Sequence, residues 1–137
     1  MQPRISVITL GVSDLEKSIQ FYRDGLGLST EGIIGKEFEY GSVAFFDLEN
    51  GLKLALWPRE SISKDTGMIL TESCATEFTL GYNLTNQQEV DTIINLAEKA
   101  GAKILKKPHK TFYGGYAGYF QDPDNHIWEI VFNPDFL

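Results

Sequence analysis

The chain has 137 residues, 42% hydrophobic and 23% charged, the composition of a single globular domain rather than a disordered or fibrous chain. Nineteen acidic against twelve basic residues leave a net charge of −7, which argues against nucleic acid as a partner, because that needs a basic footprint. No apolar run approaches a membrane span, the opening MQPRISVITL is not a charged-then-apolar leader, and Cys74 has no second cysteine to pair with, so we expect a cytoplasmic protein without membrane contact.

Ile5 to Val12 alternates and is rich in β-formers, which predicts a strand. Ser13 with Glu16 reads as a capping box, and Leu15, Ile19, Tyr22 and Leu26 recur at helical spacing until Gly25 and Gly27 stop the helix. Short strands are expected near Glu37–Tyr40, Ser42–Leu48 and Leu52–Pro58, the last two joined by a hairpin at Asn50-Gly51. Residues 59–76 read as a linker that crosses between modules and has room for a helical turn or a pocket lid. Glu77 to Leu84 predicts another strand, and Thr85 with Gln88 another capped helix, lined by Val90, Ile93, Ile94, Ala97 and Ala100 and ended by Gly101. Lys103–Leu105 is a short strand, Lys106 to Gly115 a basic, aromatic loop, and Tyr116–Gln121 with His126–Asn133 a closing hairpin. Asp122-Pro123-Asp124-Asn125 forms its turn, with Asn125 tolerating a left-handed backbone.

The pattern repeats. A shift of 74 places Phe46 on Phe120, Leu56 on Ile130 and Gly27 on Gly101, and a shift of 72 places Val12 on Leu84. The expected fold is therefore α+β: two βαβββ modules forming a curved, mostly antiparallel sheet around a cleft, with the helices on the convex side. One domain spans 1–137, with modules about 1–58 and 77–137 and the linker 59–76 between them.

The segment ITLGVSDLEKSIQFYRDGLGL resembles the opening strand, helix and glycine stop of the vicinal oxygen chelate superfamily, which includes glyoxalases, bleomycin-resistance proteins and extradiol dioxygenases. GYFQDPDNHIWEI resembles that family's closing hairpin, with Asn125 where a glycine is usual. The resemblance implies a homodimer with its site inside the curved sheet. It also implies, for catalytic members, a divalent metal held from the first and fourth strands of each half. Those positions are Val7, Ala55, Thr79 and Glu129 in this sequence. Only Glu129 is a good ligand, and a catalytic metal needs about three from His, carboxylate or thiolate. We therefore expect no metal and no other cofactor.

Strand parity sets Glu129 with Ile127 and Val131 on one face, a carboxylate between branched apolar residues. It reads either as a general base or ligand acceptor, or as a relic acid paired with Lys53 or a tyrosine. Lys53, Ala55 and Trp57 share the equivalent face of the first module, where Trp57 is a flat platform or core. Tyr119 is a ligand contact if Phe120 faces the helix. Thr79, Tyr113, Tyr116 and His109 complete the candidate ligand-binding set. The last three lie in or beside the basic, aromatic loop, which reads as a flap, a strand lead-in with bulge glycines, an anion-attracting segment or a plain solvated loop. His126, on the outward parity, reads as structural.

The leading functional reading is a metal-independent small-molecule binder of the bleomycin-resistance type, its aromatic, acidic cleft suited to a flat or cationic ligand. The alternative is a glyoxalase-like lyase or isomerase using Glu129 as base, with or without a metal. A third is an accessory protein whose dimer surface is its product. Saturable binding separates the first two from the third, and turnover separates the enzyme from the binder.

Overall fold

The computed structural model describes residues 1–136. The chain packs as two compact units, Met1–Glu72 and Ser73–Leu137. The first is built from β1 (Val7–Val12), α1 (Leu15–Ile19), β2 (Thr30–Ile34), β3 (Val43–Asp47) and β4 (Lys53–Pro58). A further helix, α2 (Arg59–Thr66), follows β4. The second unit is built from β5 (Thr79–Leu84), α3 (Gln87–Lys99), β6 (Lys103–Lys110), β7 (Tyr116–Gln121) and β8 (Ile127–Phe132). Each unit is a βαβββ module with a four-stranded mixed sheet, ordered β1-β4-β3-β2 and β5-β8-β7-β6.

The internal repeat holds at the level of register. Val7 pairs with Lys53 in parallel, and their equivalents at shifts of 72 and 74, Thr79 and Ile127, pair the same way. Phe46 lies opposite Leu54 as Phe120 lies opposite Trp128. Because side chains alternate with period two, this fixes the same face in both modules. The helix-side core of the first contains Leu10, Val12, Phe46, Leu54 and Leu56, all at most 1% exposed, with Tyr22 against Phe46 at a ring distance of 6.0 Å. In the second, Phe120 stacks on Trp128 at 6.1 Å, and a side chain at Gly118 would meet Ile94 of α3.

Both helix starts fall one residue later than expected. Asp14, not Ser13, accepts from the Lys17 amide at 3.1 Å. Asn86, not Thr85, accepts from the Glu89 amide at 2.9 Å, while the Glu89 carboxylate reaches back to the Thr85 amide and hydroxyl. Where two capping residues are adjacent, the amide or carboxylate oxygen has taken the cap in both modules. After α1 the helix widens into a π-helical turn, Gln20–Gly25, before the left-handed Gly27.

Three sequence expectations are corrected. The second strand is Thr30–Ile34, and 37–40 is a turn. Gly32 sits at φ 88° where the β2–β3 register shifts, and that bulge hid the alternation. The residues from Lys106 to Lys110 continue β6 instead of forming a loop. Pro108 is admitted because β6 is an edge strand with register shifts. The start of the linker is the eight-residue α2. Gly11 makes room for it, since a Cβ there would come 2.9 Å from Arg59 Cγ and 3.3 Å from Ile62 Cδ1. Thus α1 covers the Leu10 face of the first sheet, and α2 lies against the opposite face at Gly11.

Candidate functional site

The closing hairpin of the second module is fixed by its turn. Asp122, 4% exposed, accepts from the Asp124 and His126 amides at 2.9 Å each, and its other oxygen lies 2.8 Å from His126 Nδ1. Asn125 takes the left-handed backbone at φ 68°, as the turn sequence requires. His126 also packs near the Phe78 ring, so it braces the turn.

This turn sets Tyr119 directly opposite Glu129. Both are half-buried, and the Tyr119 hydroxyl donates to Glu129 Oε2. That hydrogen bond, then burial, then the charges of Glu129 and Tyr113 push the Tyr119 phenol up to about 12. Tyr119 therefore stays protonated, and donating, across the physiological range. Of the two partners considered for Glu129, the tyrosine is the one the structure provides. Lys53 instead pairs with Asp47, its neighbour across β3 and β4.

The other candidates are placed as follows. Tyr116 shares the Gly118–Phe120 face and its hydroxyl donates to Asp91 of α3 at 2.8 Å, so it points to the helix side, away from Glu129. His109 is in β6 opposite Ala117, with Nδ1 3.2 Å from the Lys107 carbonyl oxygen. Tyr113 is exposed, in edge-to-face contact with Phe112 at 5.2 Å. Thr79 is exposed at the start of β5, opposite Ile127. Trp57 is half-buried at the end of β4, and its indole N–H donates to the Tyr40 carbonyl at 3.1 Å.

The first module carries a hollow of about 520 Å³ lined by Thr30, Glu31, Ile34, Phe45, Asp47 and Lys53, among others. Sequence reasoning found only Lys53 of these. The repeat was the usable signal, since Phe45 is the equivalent of Tyr119 at a shift of 74.

The residues at the family's metal positions do not fit a metal. Val7 and Ala55 offer no lone pair, Thr79 offers a hydroxyl, and one oxygen of Glu129 is already engaged by Tyr119. Among the described residues, no group of three or more His, Cys, Asp or Glu is arranged to hold an ion. Nor is any helix among them long and apolar enough to cross a membrane.

Comparison with known proteins agrees with this architecture. The uncharacterized protein YraH of Bacillus subtilis (strain 168) is 32% identical over 128 residues, covering 90% of this chain and 93% of that protein. A glyoxalase-related enzyme from Fulvimarina pelagi has a similar structure, with a TM-score of 0.83 at 34% identity over 97% of this chain and 90% of that one. Lactoylglutathione lyase from Agrobacterium tumefaciens shares the fold, with a TM-score of 0.70 at 22% identity over 99% of this chain and 98% of that one. The sequence model of one family matches residues 4–130, nearly the whole length. With the duplicated βαβββ register beneath it, the chain belongs to the glyoxalase/bleomycin resistance protein/dioxygenase superfamily.

Proposed function

We propose that the protein binds a flat, cationic small molecule without a metal, with Glu129 as the charged acceptor and Tyr119 as the aromatic contact beside it. The carrying observation is the state of Glu129. It is half-buried in mid-strand, and among the described residues its side-chain partner is the Tyr119 phenol and no cation. A carboxylate in that setting is stabilised by an incoming positive charge, and the aromatic ring beside it favours a delocalised one. A homodimer accompanies this reading, because both sheets end in edge strands that a second copy can cover.

The test is a fluorescence titration with thioflavin T, a flat cationic dye. Wild-type protein should bind it saturably, and Glu129→Gln should weaken binding by roughly 10-fold or more, the scale of a lost charged hydrogen bond. Equal affinity in the two proteins would remove Glu129 from the site.

A second reading takes Glu129 as a general base in glyoxalase-like lyase or isomerase chemistry. It is supported by the hydrogen bond to Oε2, which orients the carboxylate while leaving Oε1 to accept a proton. The relative from Fulvimarina pelagi, described as a glyoxalase-related enzyme, points the same way. Glu129-dependent exchange of a substrate's α-proton for solvent deuterium would favour it over binding alone.

A further inference from the structure

One glycine of the second module has no structural reason to be a glycine. Gly81 lies inside β5, where a missing side chain weakens a strand. A left-handed backbone, a bulge or a close neighbour commonly holds a glycine in such a place. Gly81 has none of the three. Its φ lies outside the left-handed range, and the pairing of β5 with β8 runs from Thr79 to Leu84 without a shift. A Cβ built on it would meet nothing within 4 Å. Gly11, Gly35, Gly41, Gly115 and Gly118 differ, because a side chain at each would crowd a neighbour.

The open space lies beside Glu129. Gly81 and Glu129 are partners in register, so they share a face, and adjacent strands stand about 4.8 Å apart. The Glu129 side chain is long enough to fill the gap and does not. Its carboxylate is drawn the other way, to the Tyr119 hydroxyl on β7. In the first module the equivalent row reads Thr9, Ala55 and Phe45, with a branched side chain on the first strand and only a methyl on the fourth. The second module reverses the sizes and reads Gly81, Glu129 and Tyr119.

Thr79 and Asn83 bound the gap along β5, both exposed and on the same face, roughly 13 Å apart at the rise of a strand. Charge favours the same side. β5 carries no charged residue, whereas β6, at the other edge of the sheet, carries four exposed lysines, Lys103, Lys106, Lys107 and Lys110. A cation on its way to Glu129 is repelled from the β6 edge and admitted over β5.

We infer that the gap over Gly81 is the seat of the ligand beside Glu129, and that Gly81 is its size-limiting contact, admitting a broad ring that a side chain would exclude. The inference rests on the ligand-binding reading above. It adds to that reading the side from which the ligand is held.

The test is the thioflavin T titration on Gly81→Ala and Gly81→Leu, with Glu129→Gln alongside, and with the thermal midpoint and sedimentation of each variant. Gly81→Leu should weaken binding by roughly 10-fold or more, the scale of overfilling a packed site, and Gly81→Ala by roughly 2- to 3-fold. Neither midpoint should fall, because the space is open in the folded chain and a side chain suits a strand better than glycine does. Binding would then drop without any loss of stability, which a structural role for Gly81 would not produce. A leucine variant that binds as wild type while Glu129→Gln is impaired would overturn the seat and leave the ligand reading standing. Weakened binding with a lowered midpoint, or with a changed oligomeric state, would assign the gap to the fold or to a second copy and also overturn it. Loss in the leucine variant with Glu129→Gln unimpaired would remove the charge from the site and overturn both, as would a wild-type protein that takes up no dye.

Discussion

Strands β4 and β8 occupy the same place in the two modules, with the same neighbours in the same register, and they present opposite chemistry. In β4 the face turned away from α1 reads Lys53, Ala55, Trp57, and across from it on β3 stand Asp47 and Phe45. In β8 the equivalent face reads Ile127, Glu129, Val131, and across from it on β7 stand Gln121 and Tyr119. The first face neutralises its own charge with an exposed Lys53–Asp47 pair at the rim of a hollow. The second keeps a carboxylate whose partner is a neutral phenol. Duplication has preserved what packing demands on the helix side and released the other face to diverge. Side-chain chemistry on that face is therefore asymmetric in a backbone that is not.

The largest effects should appear where the modules are alike. Phe46 and Phe120 are repeat equivalents, at 0% and 1% exposure, packed on Tyr22 and Trp128 respectively. Phe46→Ala and Phe120→Ala should each destabilise by about 3–5 kcal/mol through lost burial and the cavity left behind. Urea unfolding monitored by circular dichroism reads this directly. Losses that differ by more than about 2 kcal/mol would mean that equal register does not bring equal packing, since cavity costs vary with how far a site can relax.

A smaller effect should appear where the modules differ. With Tyr119 raised to about 12 chiefly by its bond to Glu129, Glu129→Gln should bring the phenol back toward its ordinary value near 10. Spectrophotometric titration of tyrosinate should show one group moving down. The sign for stability follows. The folded phenol holds its proton more tightly than the unfolded one, so its contribution is complete below pH 10 and is lost as pH rises toward 12. The variant should lose less stability over that interval than wild type. A tyrosine titration unchanged by the substitution would mean that Tyr119 is raised by burial and not by Glu129.

Why the fold was legible and the site only partly so follows from the same division. The repeat, both hairpin turns and the glycine stops at Gly27 and Gly101 were readable, because each is imposed by backbone geometry that few residue types satisfy. The strand Thr30–Ile34 was not, because Gly32 interrupts its alternation at a bulge. The caps were misplaced by one because Ser13-Asp14 and Thr85-Asn86 each offer two acceptors, and sequence does not say which oxygen reaches the amide. At the site, parity placed Tyr119 on the same side as Glu129, and the register of β7 and β8 then set the two opposite one another. Parity could not give the partner of Lys53, which depends on Asp47 lying across a hairpin, nor the direction of Tyr116, which Asp91 on α3 decides. Side-chain partners are chosen by tertiary proximity, and period two gives only the side of the sheet.

The smallest effect should come from the Lys53–Asp47 pair, and its smallness sharpens the contrast with Glu129. Lys53 and Asp47 are 47% and 83% exposed in their side chains, so water screens their attraction and both lose rotamer freedom by pairing. Lys53→Ala and Asp47→Ala should each change stability by less than about 1 kcal/mol, and the double variant should show little coupling beyond that. Raising the salt concentration should shrink even this difference, because exposed charges are screened within a Debye length of about 8 Å near physiological ionic strength. The measurement is a double-mutant cycle in urea at low and high salt. A coupling above about 2 kcal/mol that survives high salt would mean the pair is shielded from water in the working protein. The first module would then hold a desolvated charge centre of its own, and the asymmetry between β4 and β8 would be one of sign, not of presence.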